Sequence, residues 1–103
     1  MTILVMGTIQ LGAEEGAKAA RLMAEHAARV RQEEGCEEYA FAFDAADPDL
    51  IRVVERWRSP EALAAHGKAE HQKTFGRALQ AHSPQAMKID AWDGQYWRNL
   101  IGG

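Results

Sequence analysis

Apolar and polar positions change period four times along the chain. From Thr2 to Leu11 the residues are dense in branched and apolar side chains (Ile3, Leu4, Val5, Thr8, Ile9, Leu11), which predicts a strand. Ala13 to Glu34 is rich in strong helix formers. Its apolar positions Ala20, Met23, Ala24, Ala27 and Val30 keep helical spacing, and Gly35 stands where a helix takes its left-handed terminal residue. Tyr39, Phe41 and Phe43 alternate with Ala40 and Ala42, a strand with one aromatic and one small face. Asp44 to Asp49 reads as a turn, because Pro48 cannot donate inside a ladder. Leu50 to Arg58 then pairs back as a hairpin. Ser59-Pro60-Glu61 has the chemistry of a helix start, and that helix is expected to reach His66 and end at Gly67. Ala69 to Ala81 is a further helix, stopped by His82-Ser83-Pro84. Gln85 to Trp97 is the last strand, with Met87, Ile89 and Ala91 on one face and Lys88, Asp90 and Trp92 on the other. The tail from Asn99 to Gly103 is expected to be loose.

This order is β-α-β-β-α-β with the second helical region split: the ferredoxin-like α+β arrangement of a four-stranded antiparallel sheet with helices on one face. The opposite face also carries apolar residues and needs cover, so a second copy packed sheet to sheet is expected, a homodimer. A chain of 103 residues is expected to be one domain over 1–103, with only a modest core of its own. Twelve Lys and Arg against fifteen Asp and Glu, with the cations scattered, point away from nucleic acid. The single cysteine, Cys36, has no internal partner, which fits a reducing cytoplasm. No apolar run approaches the roughly 20 residues of a membrane helix, and the N-terminus lacks a basic leader and reads as a strand rather than a signal peptide.

Candidate chemistry concentrates between Val54 and Phe75. On the Leu50–Arg58 strand, Ile51, Val53, Glu55 and Trp57 share the face expected to meet the helices. Glu55 is then a carboxylate among apolar neighbours. It is either held by an ion pair or backbone hydrogen bond, or is a polar group on a cavity wall. Trp57 is either core or a flat wall for an aromatic ligand. His66 either caps its helix or sits at the cavity rim, where a neutral imidazole suits proton transfer near pH 7. His71 is expected to be partly solvated. On one helix the two imidazoles would stand about 140° apart, and no third ligand lies near them in sequence, so no metal site is expected. His26 and His82 are expected at the surface. Tyr39 is the one member of the aromatic stripe with a polar tip, and Phe75 and Met23 are expected to line the pocket.

The stretches E-E-G-C-E-E-Y and E-R-W-R-S-P-E-A-L-A-A-H-G-K-A-E-H-Q-K-T-F resemble the antibiotic biosynthesis monooxygenase domain family. Gly35-Cys36 followed by Tyr39, then Glu55 and Trp57, then His66, His71 and Phe75 carry the likeness, which extends over nearly the whole chain. The resemblance implies a dimeric α+β barrel with one cavity per subunit between helices and sheet. It also implies an activity such as cofactor-independent oxygenation of a quinol or polyketide-like aromatic. Haem-degrading members place an Asn on the first strand and an iron-ligating His on the helix after the hairpin. Here Gly7 and Gly76 stand at those places, so haem is not expected. Polyketide oxygenases use a strand Asn that this chain lacks. No phosphate-binding loop is present, so no nucleotide cofactor is expected. On this reading His66, Trp57 and Tyr39 would be catalytic, and Glu55, Phe75, His71, Met23 and Val53 would contact substrate. A non-catalytic small-molecule-binding or stress-response dimer, or a lyase or isomerase of the same fold, is the alternative.

Overall fold

In a computed structural model describing all 103 residues, the elements are β1 (Thr2–Gln10), α1 (Glu15–Val30), β2 (Cys36–Asp44), β3 (Asp47–Trp57), α2 (Pro60–Lys68), α3 (Glu70–Leu79) and β4 (Ala86–Gly94). The strands form one antiparallel sheet in the order β2-β3-β1-β4, the ferredoxin-like arrangement. The face of β3 assigned from its alternation is correct. Ile51, Val53, Glu55 and Trp57 are buried under the helices, while Arg52, Val54 and Arg56 face outward.

Several boundaries differ from the expected ones, each for a physical reason. Pro48 lies within β3, not in the turn, because the hairpin closes tightly with Asp44 opposite Asp47. The N-terminus of α1 has no capping side chain of its own. Asp49 of β3 caps it instead: its Oδ2 accepts from the Glu14 backbone N–H at 2.9 Å and its Oδ1 from that of Gly16 at 2.8 Å. Gly16 permits this approach, since a Cβ there would stand 2.0 Å from the Pro48 carbonyl oxygen. Helix α1 stops at Val30, short of Glu34, and the chain turns back at Gly35 with φ +84°. Ser59 caps α2 as expected, accepting from the Ala62 backbone N–H at 3.1 Å. Gly67 does not end that helix. It stays helical, and the break falls at Ala69, whose extended ψ of 140° starts α3 in a new direction. Strand β4 ends at Gly94, earlier than expected, where its pairing with β1 runs out at Thr2.

The core forms two apolar clusters. One gathers Ile9, Leu11, Ala19, Met23, Ile51, Val53, Phe75 and Leu79. The other gathers Ile3, Val5, Ala27, Val30, Tyr39 and Trp57. The only buried polar or charged residues are His26, Glu55 and His66. The helices leave β4 uncovered, so Met87 and Ile89 are exposed, and on the far face of the sheet so are Leu4, Met6, Val54 and Trp92.

Candidate active site

Strand pairing places three side chains of the site. Tyr39 on β2 sits directly across from Glu55 on β3, with Val5 of β1 on the other side, and Trp57 is two residues further along the same face. Glu55 meets neither an arginine nor a backbone N–H, the two structural partners the sequence suggested. The indole Nε1–H of Trp57 donates to its Oε1 at 2.8 Å. Burial raises the Glu55 carboxyl above its ordinary range, and the indole bond only partly offsets this. Burial likewise raises the Tyr39 phenol, reinforced by the nearby Glu55 and Glu33 charges, so Tyr39 stays a neutral donor.

The bend at Ala69 brings His66 and His71 together, and a residue from another part of the chain joins them. The Glu33 carboxylate lies 2.9 Å from His66 Nδ1 and 2.6 Å from His71 Nε2, both measured to the same Oε2. An ionised carboxylate only accepts, so each of these nitrogens carries a proton. Burial by itself would raise Glu33, but the hydrogen bonds and charges of the two histidines outweigh it and hold the group below its ordinary value. In a neutral His66 ring, a proton on Nδ1 leaves Nε2 as the lone-pair nitrogen. Nε2 takes no partner from the chain, and since no fully buried side-chain polar atom goes unpaired, it keeps a small accessible surface. The hydroxyl of Tyr39 meets the same two conditions.

Aromatic rings close the arrangement. The His66 ring centroid lies 4.8 Å from that of Trp57 and 5.6 Å from that of Tyr39. His26 is buried, against expectation, because its ring stacks on Phe75 at 4.0 Å and 1° and its Nε2–H donates to Gln72 Oε1 at 2.7 Å. His82 is also no free surface residue: its Nδ1 is 3.0 Å from Glu15 Oε1. His71 is partly solvated, as expected, with 20% of its side chain exposed; it is held by Glu33 and lies 6.0 Å from the His26 ring. Of the aromatic stripe, Tyr39 is buried, Phe41 half-buried and Phe43 exposed.

An apolar groove of about 360 Å³ opens between α1 and β2, lined by Met23, Ala27, Phe41 and Phe43 among others, with Arg31 its one charged residue. Neither Trp57, Glu55 nor His66 lines it. Phe41 lines the groove and also packs on Tyr39 at 5.4 Å and on Phe75 at 5.5 Å. Val53 lies deeper, in the cluster with Ile9 and Phe75.

Sequence reasoning missed Glu33, Gln72 and the burial of His26. His26 was recoverable, being three residues beyond Met23 and four before Val30 on the buried stripe of α1. Glu33 carried no local signal, because its partners lie 33 and 38 residues away.

A ferredoxin-like α+β sheet holding a carboxylate-bound imidazole against Trp and Tyr rings is the class of domain these features define. The chain belongs to the antibiotic biosynthesis monooxygenase family, which it matches over residues 2–78. It is similar to the probable quinol monooxygenase YgiN of Escherichia coli (strain K12), with 34% identity over 59 residues. The match takes in 50% of this chain and 57% of that protein, so the chain spans little more than half the length of the curated relatives it matches. A Deinococcus radiodurans structure described as a candidate antibiotic biosynthesis monooxygenase superposes with a TM-score of 0.89 and 26% identity, over 97% of this chain and 99% of that one. A Pseudomonas aeruginosa protein gives a TM-score of 0.81 and 28% identity, over 92% and 95% of the two chains.

Proposed function

We propose that the protein is a monooxygenase of small aromatic substrates, with quinols the favoured class, and that it works as a homodimer without a bound cofactor. The observation that carries this reading is the hydrogen bond from His66 to Glu33. A base that must take a phenolic proton needs a free lone pair and a way to hold the charge it gains. Glu33 supplies both, orienting the imidazole and stabilising the imidazolium once it forms. Neither feature of a binding-only domain, a solvent-facing His66 or a Glu55 locked to an arginine, is present.

In this mechanism His66 Nε2 takes the proton of a ring hydroxyl and the substrate anion stays beside the imidazolium. Trp57 forms a flat wall, and the protonated Tyr39 hydroxyl donates to the developing oxyanion. Glu55 fixes the Trp57 indole, and Phe75 holds His26 in place beside the pocket. His71 braces Glu33 from the other side, Met23 and Phe41 form the boundary to the outer groove, and Val53 backs them in the core. Oxygen then adds to the electron-rich ring. One atom is retained and the other leaves as water, so a quinol becomes a hydroxyquinone. The substrate supplies all the electrons, and no external reductant is required.

The test is oxygen uptake with a menadiol-type quinol. Wild type is expected to exceed the uncatalysed rate. His66→Ala and Glu33→Gln are each expected to lose about 10²–10⁴-fold in kcat, the usual range for a positioned base. No uptake above background, or a His66→Ala variant equal to wild type, would sink the reading.

A further inference from the structure

We propose that Glu33, His66 and His71 form a binding site for a divalent transition-metal ion of the zinc class, and that its occupancy switches off the His66 base. The first half stands on geometry alone. The second rests on the function proposed above. One ligand atom from each residue, Glu33 Oε2, His66 Nδ1 and His71 Nε2, falls within a group whose members all lie within 4.8 Å of one another. Two imidazoles and one carboxylate are a common donor set for zinc and its first-row neighbours, and three protein ligands leave a fourth position for water.

The site is built rather than incidental. Its three residues come from the turn after α1, from α2 and from α3, and the break at Ala69 turns His71 back toward His66. The Glu33 and His71 side chains keep 16% and 20% of their surface, so an ion can reach them, while His66 at 5% anchors the inner side. Metal–nitrogen bonds of about 2.0–2.1 Å place tetrahedral ligand atoms about 3.3 Å apart. The present 2.6 and 2.9 Å separations, with protons in the gaps, need only small side-chain rotations to reach that spacing.

Occupancy has a chemical consequence. A metal on His66 Nδ1 needs the lone pair there, so the ring proton moves to Nε2. The nitrogen that faces accessible space then changes from acceptor to donor. No proton is lost or gained overall if the imidazole starts neutral; only the tautomer reverses. A base that held its lone pair toward substrate now holds an N–H there.

Zinc(II) titrated into the metal-free protein by calorimetry is expected to bind one ion per chain. Cobalt(II) is expected to give the visible absorption of a tetrahedral site. His71→Ala and the gentler His71→Gln are each expected to weaken binding about tenfold or more, since altering even outer partners of a metal ligand costs 10–100-fold. Circular dichroism checks that both variants fold. Absence of one-to-one binding, or unchanged affinity in folded His71 variants, overturns the site. Nitrogen-15 NMR of the imidazoles reads the His66 tautomer directly. A proton remaining on Nδ1 at saturating zinc overturns the switch whatever the enzyme's activity. If wild type shows quinol uptake, zinc is expected to abolish it with the calorimetric midpoint. A protein with no uptake at all contradicts the proposed function but leaves the calorimetric and NMR results decisive here.

Discussion

Glu33 and His26 show how single residues set the chemistry of this cluster, and they do so in opposite ways. Glu33 is a carboxylate kept ionised by two imidazole donors that overcome its burial. Its folded pKa is depressed, so the stability it contributes is fully present above about 4.5 and is lost as pH falls through the folded value. His26 is kept neutral chiefly by burial, aided by the nearby His66 and His71 and opposed by its bond to Gln72 and the Glu33 charge. Its folded pKa is also depressed, but the group is a base with an ordinary value near 6.5. Its contribution is full above 6.5 and declines as pH falls through the folded value, because the unfolded chain then binds the extra proton. Glu55, raised by burial, has the reverse sign: its contribution is present below about 4.5 and lost as pH rises through its folded value. A comparison of wild type with His26→Phe isolates the histidine, since Phe retains the stack on Phe75 and Glu55 is common to both. The wild-type melting temperature is expected to fall more steeply than the variant's between pH 7 and pH 5. Parallel profiles in thermal denaturation would show that His26 does not titrate against folding.

At the scale of elements, what the sequence made legible was local, and what it hid was long-range. The face of β3 followed from simple alternation, and the α2 start followed from Ser59 and Pro60, each a matter of neighbouring residues. Pro48 and Gly67 misled because their usual preferences were outvoted. The first residues of β3 are committed by a tight hairpin and by Asp49 capping α1, and Gly67 sits one residue before the end of α2. The site was half legible for the same reason. Glu55, Trp57, His66 and His71 lie in one span, but the carboxylate that joins the histidines arrives from the turn after α1. That turn depends on Gly35. It has φ +84°, and a Cβ there would stand 2.5 Å from the Ala62 Cβ of α2. Its carbonyl also accepts from the Arg58 backbone N–H at 2.8 Å, tying the turn to the end of β3. A side chain in the left-handed region costs roughly 1–2 kcal/mol, and the contact with α2 adds to it. Gly35→Ala is therefore expected to lose about 2 kcal/mol or more in urea denaturation. A loss under about 1 kcal/mol would mean that α2 yields easily and that the turn does not fix the Glu33 position.

For the whole molecule the surface itself argues for a partner. The chain exposes 6872 Å², whereas a compact monomer of its 11.4 kDa mass exposes about 5,800 Å². The excess of about 1,000 Å² is close to the roughly 800 Å² that each side of a standard interface contributes. It is not spread evenly. The helix-free face of the sheet presents Leu4, Met6, Val54 and Trp92, and beyond β4 the chain exposes Tyr96, Trp97, Leu100 and Ile101. Met6 and Val54 are cross-strand neighbours on the two central strands, at the middle of that face. A two-fold pairing of sheets would place these apolar centres against each other, with Arg52 and Arg56 flanking Val54 along β3. Sedimentation equilibrium at micromolar concentration is expected to give twice the chain mass for wild type. Met6→Glu combined with Val54→Glu would place four carboxylates at the centre of the interface while leaving the helix-covered core untouched. That variant is expected to sediment at 11.4 kDa with its circular dichroism preserved. A wild-type protein that sediments as a single chain, or a double variant that remains paired, would show that the exposed sheet face is not where two copies meet.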